Sequence, residues 1–311
     1  MNQILPEHGK LTIDLDAVRS IVAVPNETPF ETLSPRYRLY NTATIVERAT
    51  ELGLVPTAAF YQKAHKPNRG GDEVRKHCIR LAHRDDLGKV SDRPEVVIIN
   101  SHNGASALEI QMGIFRIVCA NGLVLKGTNF GGDKFYHRGK SMDMILDTLQ
   151  SLIDRFGLAR DYMKEFSGIR LSEPSRLDFA TGARAIYNRH QSAPRDIDPS
   201  KFLIPKRYED TGDDLWRTFN VVQENIMKGG IELHGRDENH KRATKTRPIR
   251  EVTQSKSINM DLWEMASKWF ANGGETPREY LGNLVEAEQH RLGHIGPTVP
   301  SIASVPSIQI D

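Results

Sequence analysis

His102 stands in the stretch Ser101-His102-Asn103-Gly104-Ala105-Ser106-Ala107, where a histidine flanked by two serines could serve as a base or a metal ligand. A hydrolase or nuclease built on His102 would draw on carboxylates such as Glu95, Glu109 or Asp133. A nucleophile, however, needs a base and an orienting group in defined geometry, and the sequence does not supply that geometry. The plainer reading is a hairpin: Asn103-Gly104 is a tight-turn pair, and the neighbouring polar side chains can satisfy the turn backbone. The chain holds 11 histidines, and they are scattered. His290 and His294 sit at i, i+4 on a predicted helix, but Arg-Leu-Gly lies between them, with no glutamate at the zinc-protease position. There is no Cys-x-x-Cys pair, so no metal site is assigned. Gly-Gly pairs at 70–71, 131–132, 229–230 and 273–274 match neither a phosphate-binding loop nor a dinucleotide fingerprint, and no cofactor is expected.

Positive charge gives a second kind of chemistry. The segment 234–251 carries Arg236, Lys241, Arg242, Lys245, Arg247 and Arg250 against Asp237, Glu238 and Glu251, with Thr244 and Thr246 as neutral donors. Such an excess can neutralise phosphates with release of counterions. A second basic stretch contains Lys63, Lys66, Arg69, Arg75, Lys76, Arg80 and Arg84. Tyr61 lies beside it, and Tyr136 is elsewhere; both are candidates to stack a base. Arg116 would join them if it projects from its strand away from the core. The bland alternative for each segment is a solvated loop or a charged surface face. The net charge of the chain is only +2, so distribution and not total charge carries the reading.

These residues must be held by folded elements. The chain has 311 residues, 38% of them hydrophobic and 26% charged, which is enough to bury a core without disulfides. The two cysteines, Cys78 and Cys119, read as buried free thiols of a reducing compartment. No apolar run approaches a membrane span, and residues 1–10 do not form a signal peptide. The expectation is a cytoplasmic protein with no membrane partner.

Alternation over Leu11–Leu15 suggests a short strand. Asn41 or Thr42 can cap a helix that runs to Leu52 and stops at Gly53. The β-branched run Pro94–Asn100, the alternation from Leu108 to Ile114 and the run Leu123–Leu125 predict a three-stranded antiparallel meander between 94 and 137. Met142, Ile145, Leu146, Leu149, Leu152, Ile153 and Phe156 then form an amphipathic stripe, with a stop or restart at Gly157. Further helices are predicted from Pro174 to about Tyr187, over Leu215–Ile226, over 257–270, and after Thr276-Pro277. The fold class is α+β: a β-meander against a long amphipathic helix, with a mostly helical C-terminal half. One domain spans 1–295, β-rich over about 10–137 and helical over about 140–292. A flexible Pro-containing tail covers 296–311.

Three stretches together resemble a known family: Asn100-Ser101-His102-Asn103-Gly104-Ala105-Ser106-Ala107, Phe115-Arg116-Ile117-Val118-Cys119-Ala120-Asn121-Gly122-Leu123, and Thr246-Arg247-Pro248-Ile249-Arg250 ahead of the Trp263 helix. They are similar to the phage- and plasmid-associated "domain of unknown function 932" family, over about residues 30–290. That family has no agreed catalytic residues to carry over. The resemblance implies a mobile-element protein acting in a bacterial host, in the company of recombination, replication or defence-evasion functions. A meander followed by a long helix is also the minimal plan of single-strand annealing proteins, a likeness of fold only.

The leading expectation is therefore a non-enzymatic, homo-oligomeric DNA-binding protein that favours single strands and is of annealing or recombination type. Its contacts would be Lys241, Arg242, Lys245, Arg247, Arg250, Arg116 and Tyr61. The alternatives are an inhibitor that binds a host defence protein, and a metal-dependent hydrolase or nuclease using His102.

Overall fold

The computed structural model describes residues 2–22, 34–61, 76–88, 92–102, 104, 106–116, 122–124, 131–139, 141–233 and 245–293. Among these, seven strands form one antiparallel sheet: β1 (Asn2–Ile4), β2 (Leu54–Tyr61), β3 (His77–His83), β4 (Asp92–Asn100), β5 (Leu108–Arg116), β6 (Gly122–Val124) and β7 (Gly132–Phe135). Strands β1 to β5 pair in sequence order. Beyond β5 the predicted third meander strand is two short ones laid end to end. β6 pairs with Gly113–Phe115 and β7 with Leu108–Gln111.

Register decides which side chains share a face. Ile79, Leu81, Val96, Ile98, Ile110 and Met112 sit opposite one another across β3, β4 and β5, and all enter the main core. The other face holds Cys78, Val97 and Ile99, together with a charged cluster. β4 is thus buried on both faces, which is why Pro94–Asn100 reads as a continuous apolar run and not as an alternating one. At Pro56, which has no N–H to donate, the β2–β3 register slips in a bulge.

The charged cluster is Arg80, Glu95 and Arg93. Arg80 Nε donates to Glu95 Oε2 at 2.7 Å and Arg93 Nε donates to Glu95 Oε1 at 2.9 Å. The Glu95 side chain is 0% exposed and both arginines are buried.

Leu11–Leu15 does not form the predicted strand. Helix α1 (Leu15–Val22) starts there, because Val18, Ile21 and Val22 repeat at helical spacing and all are buried. Asp14 Oδ1 accepts from the backbone of Asp16 at its start. Helix α2 (Thr42–Glu51) follows the predicted pattern. Asn41 Oδ1 caps it by accepting from Ala43 N at 2.9 Å, and Gly53, with φ of +84°, turns the chain away. Replacing Asn41 by alanine is expected to cost about 1 kcal/mol in a denaturant titration; no loss would mean that solvent satisfies this helix end equally well.

Helix α3 (Met142–Asp154) lies on β4, β5 and β7, and Ile145, Leu149 and Leu152 are its buried stripe. The chain restarts directly into α4 (Phe156–Gly168). The C-terminal half is helical as predicted: α5 (Glu173–Arg189), α6 (Leu215–Lys228), α7 (Val252–Ala271) and α8 (Arg278–Gly293). One cluster of buried apolar side chains runs from the sheet face into these helices. Within it a buried carboxylate, Glu288 of α8, accepts from Arg184 Nη2 at 2.9 Å and from Asn188 Nδ2 at 2.5 Å, both on α5. The proposed 296–311 tail lies outside the described residues. Among the described residues no helix is long and apolar enough to cross a membrane.

Candidate functional site

His102 enters a buried polar cluster built where α2 starts and β3 and β4 end. His77 and Asn100 face each other across β3 and β4, on the core side of the sheet. Thr42, the first residue of α2, sits between them. Its Oγ1 is 2.7 Å from His77 Nε2, 3.1 Å from His102 Nε2, and accepts from Asn100 Nδ2 at 2.9 Å. The Thr42 backbone N–H donates to His102 Nε2 at 3.3 Å. His102 therefore accepts one of the N–H groups that a helix start leaves without an internal partner. Its Nε2 must be the unprotonated nitrogen.

The remaining bonds close the cluster. Asn100 Nδ2 also donates to the Tyr40 carbonyl at 2.9 Å, and its Oδ1 accepts from Ser101 N at 2.8 Å. His137 Nε2 lies 3.1 Å from that Oδ1, and its ring stacks on Tyr37 at 4.7 Å between centroids. The Tyr37 hydroxyl donates to the His102 carbonyl at 3.1 Å, and burial raises its pKa to about 12. Ser106 donates through both its N–H and its hydroxyl to Ser101 Oγ, at 2.8 and 3.1 Å. Burial, and then the neighbouring His77 and His137, push the His102 pKa down to about 3. Burial also lowers that of His137.

A base that works near neutrality needs a pKa near 7 and a free lone pair. His102 has neither. The carboxylates named with it lie elsewhere. Glu95 is on the opposite sheet face with its two arginines. Glu109 is held by Lys256 and Lys134, and Asp133 is exposed on β7. Among the described residues no group of three or more His, Cys, Asp or Glu could hold a metal ion.

The basic residues separate differently. Lys241, Arg242 and Arg236 lie outside the described residues, as do Lys63, Lys66, Arg69 and Arg75. Arg80 is not a surface cation: it is buried against Glu95. Arg84 donates to the Thr50 carbonyl and Lys76 to Thr253 Oγ1 at 2.5 Å. Tyr61, half-buried at the end of β2, packs against the core. Arg116 ends β5 opposite Asp92, and its side chain is outside the described residues. Tyr136 is 63% exposed, with Lys134 Nζ 5.6 Å from its ring centre.

Lys245 and Arg247 do meet a concavity. After α6 the chain turns at Gly229 and Gly230 and pairs with its later return. Gly230 N donates to Thr246 O, Thr246 N to Ile231 O, and Ile231 N to Thr246 Oγ1, all within 2.8–3.0 Å. Gly229 is required there, because a Cβ would fall 2.7 Å from the Thr246 carbonyl and its φ is +63°. This strap carries Lys245, Thr246 and Arg247 to a cavity of about 280 Å³, whose other walls are Tyr187, Gln191, Ser192, Ala193, Arg195 and Leu233. Among the described residues, three cations and no carboxylate line it. Arg250 is exposed just beyond, ahead of α7. Sequence reasoning missed Arg195, Gln191 and Tyr187, since a lone arginine after Ala193-Pro194 looks like any surface residue.

No solved structure matches the chain. It is similar to two proteins of Escherichia coli strain K12. The UPF0380 protein YfjQ is 30% identical over 250 residues, 80% of this chain and 88% of that protein, and the UPF0380 protein YafZ is 29% identical over an equal length. The polar cluster and the cavity both fall within residues 29–263, which match the family described as "Domain of unknown function (DUF932)", and the chain belongs to that family.

Proposed function

We propose that this protein binds nucleic acid, with single strands favoured, and that it does so without catalysing a reaction. The observation that carries the reading is the cavity lined by Arg195, Lys245 and Arg247, with no acidic wall among the described residues. Phosphate contacts supply most of the affinity of sequence-independent binding. A recess of about 280 Å³ admits one phosphate with its sugar or base, which a flexible strand can present and a duplex cannot. Annealing or recombination, a mobile-element setting and homo-oligomers remain parts of the same proposal.

The His102 hydrolase reading has less support, since the histidine's acceptor nitrogen is committed to Thr42. A host-protein inhibitor draws on one observation: Ile204 and Tyr208, four residues apart, are 59% and 89% exposed.

Anisotropy with a labelled single-stranded oligonucleotide tests the leading reading. Affinity is expected to fall steeply with salt. In the triple variant Arg195→Gln, Lys245→Gln, Arg247→Gln the log–log salt slope should shrink by about 0.7, the value for one phosphate contact, and low-salt affinity should drop at least about tenfold. Equal slopes in both proteins would remove these residues from the interface.

A further inference from the structure

The same cavity is fitted to a phosphate bearing two negative charges. We infer that it receives the terminal phosphomonoester of a nucleic-acid strand, and not an internal phosphodiester; this rests on the nucleic-acid reading above and sharpens it.

Charge is the first observation. Arg195, Lys245 and Arg247 bring three positive charges to the walls. Glu232 lies 3.6 Å from Lys245, and both are more than half exposed. Among the described residues the local sum is +2. An internal phosphodiester carries one negative charge. A terminal phosphomonoester carries about −1.5 to −2 at neutral pH and offers three acceptor oxygens.

Unused donors are the second. Gln191 Nε2 is fully buried and has no hydrogen-bond partner among the described residues. A buried amide hydrogen without an acceptor is costly, and few native donors are left so. A phosphate oxygen in the cavity would supply the acceptor. Thr246 Oγ1 already accepts from Ile231 N, so its own hydroxyl hydrogen remains to be given. Both side chains line the cavity, as does buried Tyr187.

The third is the treatment of the adjoining helix end. The C-terminus of α5 reaches the cavity through Tyr187 and Gln191, and the partial negative charge of a helix end repels anions. Here those carbonyls are occupied. Arg291 donates to the carbonyls of Arg189 and Gln191, the latter at 2.7 Å, and Gln254 Nε2 donates to that of His190 at 2.7 Å. The end that would oppose an anion carries a guanidinium instead.

The test uses one internally labelled oligonucleotide in three forms: 5′-phosphorylated, 3′-phosphorylated, and with hydroxyls at both ends. Anisotropy is measured with the full chain and with its Gln191→Leu variant, whose charge is unchanged. One phosphorylated form is expected to bind about tenfold more tightly than the hydroxyl form. Gln191→Leu should reduce that preference at least about threefold. Melting curves of both proteins establish that the variant is folded. Should it not be, Arg195→Gln replaces it and must lower the preference likewise. A mononucleotide monophosphate added as competitor should displace the phosphorylated form more effectively than the corresponding nucleoside does. Equal, salt-sensitive binding of all three forms would overturn the strand-end inference and leave nucleic-acid binding standing. No binding of any form at low salt would overturn both.

Discussion

A Glu95→Gln substitution is expected to lower the free energy of unfolding by about 3–5 kcal/mol, the usual cost of removing one partner from a buried ionic cluster. Glu95 is the shared acceptor of Arg80 and Arg93, and its side chain has no exposed surface. The neutral amide keeps the shape but removes the negative charge that Arg80 and Arg93 share. Arg93 has little in reserve, since its buried Nη1 lacks a partner among the described residues. The physical claim concerns uncompensated charge and not the bonds as such. Replacing the three residues together, as Arg80→Met, Arg93→Met and Glu95→Leu, should therefore recover most of the loss. Denaturant titrations of the two variants decide it. A loss below about 1 kcal/mol in the single variant would mean that water reaches the arginines.

The second large effect is acid sensitivity through His102. Its folded pKa of about 3 lies well below the ordinary value of 6.5. As pH falls, the unfolded chain takes up the proton first. The stabilisation is complete above about pH 6.5 and is lost at ~1.4 kcal/mol per pH unit down to about pH 3. From pH 7 to pH 5, above the main titration of carboxylates, His102 alone should cost about 2 kcal/mol. His137, shifted the same way, adds to the slope. His102→Gln keeps an acceptor near Thr42 and removes the titration. Its unfolding free energy should fall by about 2 kcal/mol less over this range than that of the natural chain. Parallel curves would show that His102 is not held neutral in the folded protein.

The helical half was legible because its signals are local. Apolar stripes, Pro174 at the start of α5 and the Gly229-Gly230 stop after α6 all lie in or beside the elements they define. Strands β2 and β3 were harder. Arg80 sits in mid-strand, and its charge reads as surface until Glu95, from the next strand, is known to face it. Leu11–Leu15 misled because five alternating residues fit a strand while the helical stripe begins only at Val18. The polar cluster shows the same limit. His77, His102 and His137 are far apart in sequence, and only the β3–β4 register and the start of α2 bring Thr42 and Asn100 between them. Arg195 carried no sequence signal because its role depends on a strap returning from residues 245–247.

Glu288 bears on where this molecule can be cut. The family match ends at residue 263, inside α7, which runs on to Ala271. A chain trimmed to that boundary would lose Trp269, which is fully buried and donates from Nε1 to Ser175 Oγ at 2.9 Å. It would also lose the carboxylate between Arg184 and Asn188, and with it Arg291, which covers the carbonyl end of α5 beside the cavity. The limits of family resemblance and the limits of a cooperative folding unit are thus different here. Helix α8 lies outside the first and, through one buried acid, belongs to the second.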